Sequence, residues 1–493
     1  MKPRLAYDDK AWERGTIIYK RWYEYLGENE PFNAVGRFLA THFYPREWCE
    51  FDIFALGGFN ICFRMGFTDK TTTILRFPFP GIVMFPEEKI HNEVRAMQFI
   101  LEQTQKPHKI PVPVPSISRW GQKKESPANL GPFVIMECIE HKQSICRLFE
   151  NPESDPTVRS TLNLNLNTVR LGGLYKKLAK IVLSLSILTL NKIGSIELDP
   201  NNSKWEVLNR PLSYSMNEVV QLGTVPRSKI PNSTYSEASS YFDALAELQL
   251  SHLFSQRNDA VDSEDDCRRK FVARLLFRKL IRDEKLREKW LRHETGPFPI
   301  WCDDFRPENV LVDEAENIIG VVDWEFTYTA PVEFTHAPPW WLLLEKPEYW
   351  PMGLDDWCIQ YDERLDTFLQ AMNDCEDEAI RAGQLEETQR LSGPMRDSWR
   401  SGNFWIMYAA RNNFAFDSIY WHKIDQRFFG PAQSIDADDV WKERLHLLTP
   451  KEKDYIDECV KRKFKEMDTR DLAWDPDEYT RAYDSEWVGG MNE

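Results

Sequence analysis

The 493-residue sequence lacks the usual signals of a secreted, membrane-spanning or zinc-binding protein. Its nine cysteines form no C-x-x-C pair and its nine histidines form no H-E-x-x-H motif, which argues against a disulfide framework and a zinc site. The longest apolar run, residues 181–190, covers about half of a bilayer span, and residues 1–12 have no apolar core like that of a signal peptide. We therefore expect a cytoplasmic protein with no membrane partner.

Positive charge is also scarce. Lys and Arg total 62 against 78 Asp and Glu, which gives a net charge of −16 at pH 7. A chain with this excess of acid is poorly suited to binding phosphate backbones, so we expect no nucleic-acid partner. The electrostatic field of an acidic protein is better suited to a cationic small molecule, or to a magnesium nucleotide held by a few carboxylates. The 42% hydrophobic content predicts an ordinary globular core.

The chain changes character in blocks and has no internal repeat, which argues against a solenoid or propeller. Residues 51–85 are rich in β-branched and aromatic residues broken by turn residues, which predicts a small antiparallel sheet. Apolar residues at 90, 94, 97 and 101 predict a helix over residues 87–101. A proline-rich stretch and an apolar strand at 131–139 follow, so we place a lobe boundary there, with one lobe at 1–138 and the other at 139–493.

Helical patterns dominate beyond residue 139. Apolar residues recur at helical spacing from 174 to 188, and further helices are predicted at 271–286, 355–382, 403–420 and 451–477. One β-hairpin, with strands at 310–312 and 318–322, interrupts this pattern. The predicted fold class is therefore α+β, with a small antiparallel β lobe followed by a large, mostly helical lobe.

The polar residues around this hairpin carry the chemistry. Residues 300–312 are IWCDDFRPENVLV, and residues 320–325 are GVVDWE. Phosphoryl transfer needs a carboxylate to accept the proton of the attacking hydroxyl, and oxygen ligands to hold Mg²⁺ on the nucleotide phosphates. Asp304, Asn309 and Asp323 supply these groups, because the hairpin would return the third residue to the other two. Arg306 could neutralise charge on the phosphoryl group or pair with Glu308.

Each of these residues also has a common structural role, since Asp and Asn often begin turns and cap strands or helices. The combination D-x-x-x-x-N followed by an aspartate after an apolar strand is the more specific pattern, and it favours phosphotransfer. Asp303 competes for the role of base, but Asp304 lies five residues before Asn309, as the motif requires.

Together with LGGFN at 56–60 and GPFVIME at 131–137, these segments resemble the aminoglycoside phosphotransferase and choline kinase-like superfamily, and its large fungal branch in particular. The resemblance covers about residues 50–350 and implies a protein-kinase-like fold of two lobes joined by a hinge. It implies that Asp304 is the catalytic base, that Asn309 and Asp323 bind Mg²⁺, and that a turn at Gly57 and Gly58 covers the nucleotide.

The same resemblance assigns further residues to the nucleotide. Glu93 matches the acidic residue of the first helix, which orients a basic residue of the preceding strand, here Arg76. Residues 136–139 match the hinge, so the backbone of Met136, Glu137 and Ile139 is expected to bind adenine. ATP and Mg²⁺ are the implied cofactors, and a small-molecule hydroxyl acceptor is the implied partner beside the nucleotide.

Two positions depart from the family pattern. The base is usually preceded by His-Gly, but Cys302 and Asp303 stand there, and the usual strand lysine is Arg76. A buried Cys302 can brace the loop without carrying a catalytic proton. The fork-shaped guanidinium of Arg76 is not equivalent to an ammonium at a phosphate, although it still suits a bidentate pair with Glu93.

Residues after the motif have two interpretations. Trp340 and Trp341 could wall the acceptor pocket and receive a cation, although core packing is the commoner role of such side chains. Glu325 and Glu333 could bind a substrate amine or hydroxyl, or they could be structural acids at a strand end.

The sequence therefore predicts an ATP- and Mg²⁺-dependent kinase for a hydroxyl group of a small molecule, with the identity of the acceptor left open. A first alternative, suggested by Arg76 and Cys302, is a catalytically weak or inactive kinase-like nucleotide-binding protein. A second, a protein kinase, is disfavoured because no A-P-E segment follows Asp323 and because Trp324 and Glu325 stand where that class has Phe-Gly.

Overall fold

The computed structural model describes residues 2–151, 159–434 and 437–471. The strands are β1 (Trp48–Leu56), β2 (Asn60–Phe67), β3 (Thr72–Pro78), β4 (Ile117–Gly121), β5 (Phe133–Glu137), β6 (Gln143–Ser144), β7 (Thr189–Leu190), β8 (Ser195–Leu198), β9 (Trp205–Asn209), β10 (Phe298–Cys302), β11 (Val310–Val312), β12 (Ile318–Val321) and β13 (Thr327–Thr329). The first five form an antiparallel sheet in the order β1-β2-β3-β5-β4. The others form small sheets in the orders β13-β10-β7, β12-β11-β6 and β8-β9.

The α-helices in the described residues are α1 (Asp9–Leu26), α2 (Asn29–His42), α3 (Pro86–Thr104), α4 (Thr168–Ser186), α5 (Tyr214–Gly223), α6 (Ala238–Ser255), α7 (Glu264–Arg282), α8 (Glu284–Arg287), α9 (Val332–His336), α10 (Gly353–Arg381), α11 (Ser392–Ser401), α12 (Asn403–Arg411), α13 (Phe416–Ile419), α14 (Asp425–Phe429), α15 (Val440–Arg444) and α16 (Pro450–Met467). None of them is both long enough and apolar enough to cross a membrane.

Helices α1 and α2 cover one face of the five-stranded sheet. Ile61, Phe63 and Met65 alternate along β2, so their side chains point to the same face, where they are fully buried. Trp22 of α1 packs into this cluster and donates a hydrogen bond from Nε1 to the Leu130 carbonyl oxygen at 2.8 Å. The opposite face of the sheet receives α3, which thereby lies between the sheet and the helical part of the chain.

The architecture confirms the predicted α+β fold, with an antiparallel sheet early in the chain and a mostly helical remainder. The helix predicted at 87–101 is α3, and the predicted hairpin is β11 and β12. The helix predicted at 271–286 begins earlier and is broken at Asp283, whose side chain caps α8 by accepting from the Leu286 N–H. Of the segment predicted at 451–477, residues 472–477 lie outside the described residues. The division at 138/139 stays a prediction.

Truncating Trp22 tests the packing of α1 on the sheet. We expect Trp22→Ala to lower the free energy of unfolding by about 3–5 kcal/mol, because it leaves a cavity and removes the donor to Leu130. Urea unfolding followed by circular dichroism measures the loss. Trp12 lies on the same helix with 54% of its surface exposed, so Trp12→Ala should cost about 1 kcal/mol or less. Equal losses in the two variants would contradict this packing.

Candidate active site

Strand β10 delivers the D-x-x-x-x-N segment to the centre of the molecule. It pairs antiparallel with β13, and Asp303 N–H donates to the Phe326 carbonyl just beyond this ladder at 3.2 Å. The following loop closes on itself, since Asn309 Nδ2 donates to the Asp304 carbonyl oxygen at 2.9 Å. Asn309 is 5% exposed, so this bond is sheltered from water. The buried amide thus fixes the backbone that carries the Asp304 carboxyl group.

The β11–β12 hairpin returns the chain to this loop. Val322 N–H donates to the Asn309 carbonyl oxygen at 2.9 Å, which places the next residue, Asp323, beside the loop. Asp323 has φ +56°, a left-handed conformation that is uncommon outside glycine. Such strained positions persist where the surrounding structure determines them, and they are frequent at functional sites. Asp323 follows the end of β12, so this conformation belongs to the turn after the hairpin.

A buried ion-pair network joins Asp323 to the sheet and to α3. Arg76 of β3 donates from NH1 to Asp323 Oδ1 at 2.6 Å, and its NH2 group contacts Glu93 Oε1 of α3. The side chains of Arg76 and Glu93 are 4% and 1% exposed, whereas that of Asp323 is 39% exposed. The predicted pair between Arg76 and Glu93 is present, and the same guanidinium reaches the predicted metal ligand as well.

A second buried network lies next to the first, and sequence reasoning missed two of its members. The Lys89 ammonium of α3 contacts Glu325 Oε2 and donates to Asn60 Oδ1 at 2.9 Å, while Asn60 Nδ2 donates to Glu325 Oε2 at 2.9 Å. Burial opposes ionisation of Glu325, but Lys89, Arg76 and Asn60 outweigh it and hold the pKa of this carboxyl below its ordinary value. Of the two interpretations of Glu325 considered from the sequence, the pairing with Lys89 agrees with a structural acid.

A cavity of about 490 Å³ opens between the sheet and the helical part of the chain. Its lining includes six of the residues predicted for the site from sequence, which are Gly57, Gly58, Arg76, Asp304, Arg306 and Asp323. Asn309 and Glu93 lie next to this lining, where Asn309 contacts Asp304 and Glu93 contacts Arg76. Tyr214, Lys346 and Arg411 also line it, although they lie far from the motif in sequence. Only folding brings these three to the cavity, so motif spacing gave no signal for them.

Asp304 has an environment suited to accepting a proton. Burial raises its pKa to about 7, with Glu325 and Asp323 adding to the rise and Arg306 opposing it. Arg306 Nε lies 3.4 Å from Asp304 Oδ1 and 4.0 Å from Glu308 Oε2, so the pair with Glu308 considered from the sequence is the longer of its two carboxylate contacts. A carboxyl group with a pKa near neutrality is a suitable general base.

Asp303 is occupied by structural partners. Its carboxylate accepts from Trp301 Nε1 at 2.6 Å and from the Tyr214 N–H at 3.1 Å, and Arg411 NH1 lies 3.8 Å away. These contacts tie the loop to the first turn of α5 and to the end of α12. The arrangement leaves Asp304 as the less engaged of the two aspartates.

The turn between β1 and β2 forms one edge of the cavity. Gly57 N–H donates to the Asn60 carbonyl oxygen at 2.9 Å, which closes the turn. A Cβ atom at Gly58 would meet no heavy atom within 4 Å, so glycine is not required there by neighbouring protein atoms. Gly58 lines the cavity, so its backbone is open to a ligand bound there.

The predicted hinge residues lie apart from this lining. Met136 and Glu137 belong to β5, where Met136 pairs with Ile74 and the Glu137 N–H donates to the Ser116 carbonyl at 2.9 Å. The Ile139 side chain packs against Gly320 of β12, because a Cβ atom at that glycine would lie 2.5 Å from Ile139 Cδ1. The assignment of Met136, Glu137 and Ile139 to adenine stays a prediction.

The residues present fit a magnesium ion that is completed by phosphate oxygens. In the described parts of the chain, no group of three or more His, Cys, Asp or Glu side chains could hold a metal alone. Mg²⁺ commonly uses one or two protein carboxylates together with substrate phosphates and water. Arg76 occupies Asp323 Oδ1 and leaves Oδ2, and Asn309 keeps its amide oxygen after donating from Nδ2. Both are the hard oxygen donors that this ion prefers.

Other residues considered from the sequence have structural surroundings. Burial raises the pKa of the Cys302 thiol, and its Sγ lies 3.8 Å from the Glu325 carbonyl oxygen, so it braces the loop. Glu333 accepts from the backbone N–H groups of Arg292 and His293, both at 2.8 Å, and lies outside the cavity lining. Trp340 lines the cavity, whereas Trp341 is buried in the core.

Comparison with known proteins gives matches among solved structures alone, because no family model and no curated protein matches the chain. The chain is similar to a thermostable mutant of an aminoglycoside phosphotransferase, solved with AMP-PNP and hygromycin B, at 13% identity and a TM-score of 0.39, covering 78% of this chain and 98% of that one. It is similar to Plasmodium vivax ethanolamine kinase at 12% identity and a TM-score of 0.39, covering 81% of each chain. An amicoumacin kinase solved with AMP-PNP and Ca²⁺ is similar at 9% identity and a TM-score of 0.36, covering 92% of this chain and all of that one.

Proposed function

We propose that this protein transfers the γ-phosphoryl group of ATP, in the presence of Mg²⁺, to a hydroxyl group of a small molecule. The observation that carries the proposal is a single cavity lined by Asp304, Asp323 and the Gly57–Gly58 turn. These are a base with a pKa near neutrality, a carboxylate suited to a metal, and an open backbone turn, and phosphoryl transfer requires all three kinds of group.

The proposed reaction assigns a separate task to each side chain. The acceptor oxygen attacks the γ-phosphorus, the bond to the bridging oxygen breaks, ADP leaves, and the hydroxyl proton passes to Asp304. Asn309 holds the base in place through the Asp304 carbonyl. Arg306, 3.4 Å from the Asp304 carboxylate, places positive charge where the phosphoryl group would pass.

The metal would be held by Asp323 and Asn309, and when bound it would neutralise charge on the phosphates. Arg76 and Glu93 orient Asp323 for this task, since the guanidinium fixes one carboxylate oxygen and leaves the other. The family resemblance at residues 50–350 supports the same assignment.

The acceptor would reach Asp304 from a second cavity, which adjoins the first. This second cavity, also of about 490 Å³, shares Tyr214, Arg306, Trp340, Lys346 and Asn412 with the first. Its other lining residues mix acids, bases and aromatic rings, including Glu218, Glu348, Arg4, Tyr7 and Tyr349. A polar small molecule fits such a lining better than an apolar one.

Replacing the base separates catalysis from binding. We expect Asp304→Asn to lower transfer of ³²P from labelled ATP into small molecules of a metabolite extract by at least ~100-fold, because the amide accepts no proton. Nucleotide affinity, measured by calorimetry with Mg²⁺ and ATP, should change little. Asp355→Asn alters an exposed aspartate that lies 3.4 Å from the Lys423 ammonium, and it serves as control. A native protein that binds the nucleotide but transfers no label would favour the kinase-like binding protein, and equal transfer by native protein and Asp304→Asn would contradict the assignment of the base.

The pKa of Asp304 predicts the pH dependence of the reaction. Because this pKa is about 7, the carboxyl group is protonated below that pH and accepts no further proton. We therefore expect kcat/KM to rise tenfold per pH unit below about 7 and to level off above it. The residual kcat/KM of Asp304→Asn should not show this rise with pH. A native profile that is flat from pH 5.5 to 8 would contradict the assignment of the base.

The glycine turn makes a separate prediction about the nucleotide. A methyl group at Gly58 meets no protein atom, so Gly58→Ala should leave the fold unchanged. If the phosphates approach the backbone there, the variant should raise KM for ATP by about fivefold and leave KM for the acceptor unchanged. Gly173→Ala, at an α4 position that is equally open, should alter neither constant. An unchanged KM for ATP in Gly58→Ala would place the phosphates elsewhere.

A further inference from the structure

Residues 193–210 include the β8–β9 hairpin, and we call this segment the strap. Its contacts with α3 follow one face of that helix. Glu197 contacts His91 Nε2 and lies 2.7 Å from Arg95 Nε. Arg210 NH2 donates to Glu88 Oε2 at 2.6 Å. At the far end, Trp205 Nε1 donates to Glu102 Oε2 at 2.8 Å, and its ring lies 5.5 Å from that of Phe99.

These polar contacts define the outer face of α3. Positions 88, 91, 95 and 102 are separated by three, four and seven residues, so they lie along one side of the helix. The two residues that reach the site, Lys89 and Glu93, are four apart and lie on the other side. The strap therefore contacts one side of α3, and the opposite side of the helix supports Glu325 and Arg76 through Lys89 and Glu93.

The first residues of the strap are hydrogen-bonded to β13, a strand that follows the catalytic segment in the sequence. Gly194 N–H donates to the Thr329 carbonyl oxygen at 3.1 Å, and Thr329 N–H donates back to the Gly194 carbonyl at 2.9 Å. Thr329 belongs to β13, which pairs with β10, the strand that leads to Asp304. Gly194 has φ +152°, and a Cβ atom there would lie 2.4 Å from the Asn209 carbonyl oxygen, so the two strap strands pass closely at this point.

We infer that the strap is a built-in positioning element, which sets α3, and through it Arg76 and Glu325, relative to the loop that carries Asp304. This inference rests on the proposed function. The strap connects both parts of the site, with one end on β13 and its side chains on α3. The helix is thus held in its place by residues of the same chain. Glu197 is the central positioning residue because it holds two successive turns of α3, at His91 and Arg95.

The test compares two isosteric changes on the same hairpin. Glu197→Gln removes the negative charge that faces His91 and Arg95 of α3. Glu206→Gln removes the same charge from the residue paired with Glu197 across the hairpin, whose side chain accepts from Asn202 Nδ2 at 3.3 Å. We expect the first variant to lower kcat by about tenfold with KM for the acceptor and the melting temperature unchanged, because a small displacement of a supporting helix slows the chemical step. The control should match the native protein.

Hydrogen exchange of the α3 amides gives a readout that does not depend on activity. Glu197→Gln should speed exchange in residues 89–100, whereas Glu206→Gln should not. Arg210→Glu should have the same effect by placing like charges together, and Arg210→Glu combined with Glu88→Arg should restore slow exchange and kcat.

Unchanged exchange of α3 in both Glu197→Gln and Arg210→Glu would overturn the inference, and so would faster exchange with an unchanged kcat. A native protein that transfers no phosphoryl group would refute the proposed function. In that case, hydrogen exchange of α3 and the affinity for Mg²⁺-ATP would still test whether the strap positions this helix.

Discussion

The arrangement of the site depends on one buried guanidinium. Arg76 of the sheet contacts Glu93 of α3 and donates to Asp323 beside the catalytic loop, so it joins three separate parts of the chain. Its side chain is almost fully buried, and removing one partner of such a group typically costs about 3–5 kcal/mol, because a charge is left uncompensated. A planar fork can meet two carboxylates at once, which a lysine ammonium does with less geometric control. Arginine at this position thus suits a bridging role.

Three carboxyl groups around the cavity differ through their partners. Asp304 is buried with Arg306 as its nearest cation, and its pKa rises toward neutrality. Glu325 is held ionised by Lys89 and Asn60. Asp323 lines the cavity and accepts from Arg76 through one oxygen, and burial raises its pKa above the ordinary value. Environments that separate the protonation behaviour of neighbouring acids allow Asp304 to act as a base while Glu325 carries charge.

Local pattern predicted most of the fold and the centre of the site. The apolar spacing of α3 and the short strands of the hairpin are local signals, and Asp304, Asn309 and Asp323 lie within twenty residues of one another. Lys89, Tyr214 and Arg411 were missed because their places depend on how distant elements pack. The strap was missed for a related reason, since its strands are four and five residues long and lie in a stretch rich in turn residues. Its contacts with α3 exist only in the folded chain.

A structure with a non-hydrolysable ATP analogue and Mg²⁺ would show where the nucleotide and the metal bind. We expect the phosphates beside Gly57 and Gly58, the metal bound by Asp323 Oδ2 and the Asn309 amide oxygen, and the γ-phosphate facing Asp304. Arg76 should keep its contact with Glu93 in that complex. A nucleotide bound outside this cavity, or a metal that leaves Asp323 paired with Arg76 alone, would contradict this expectation.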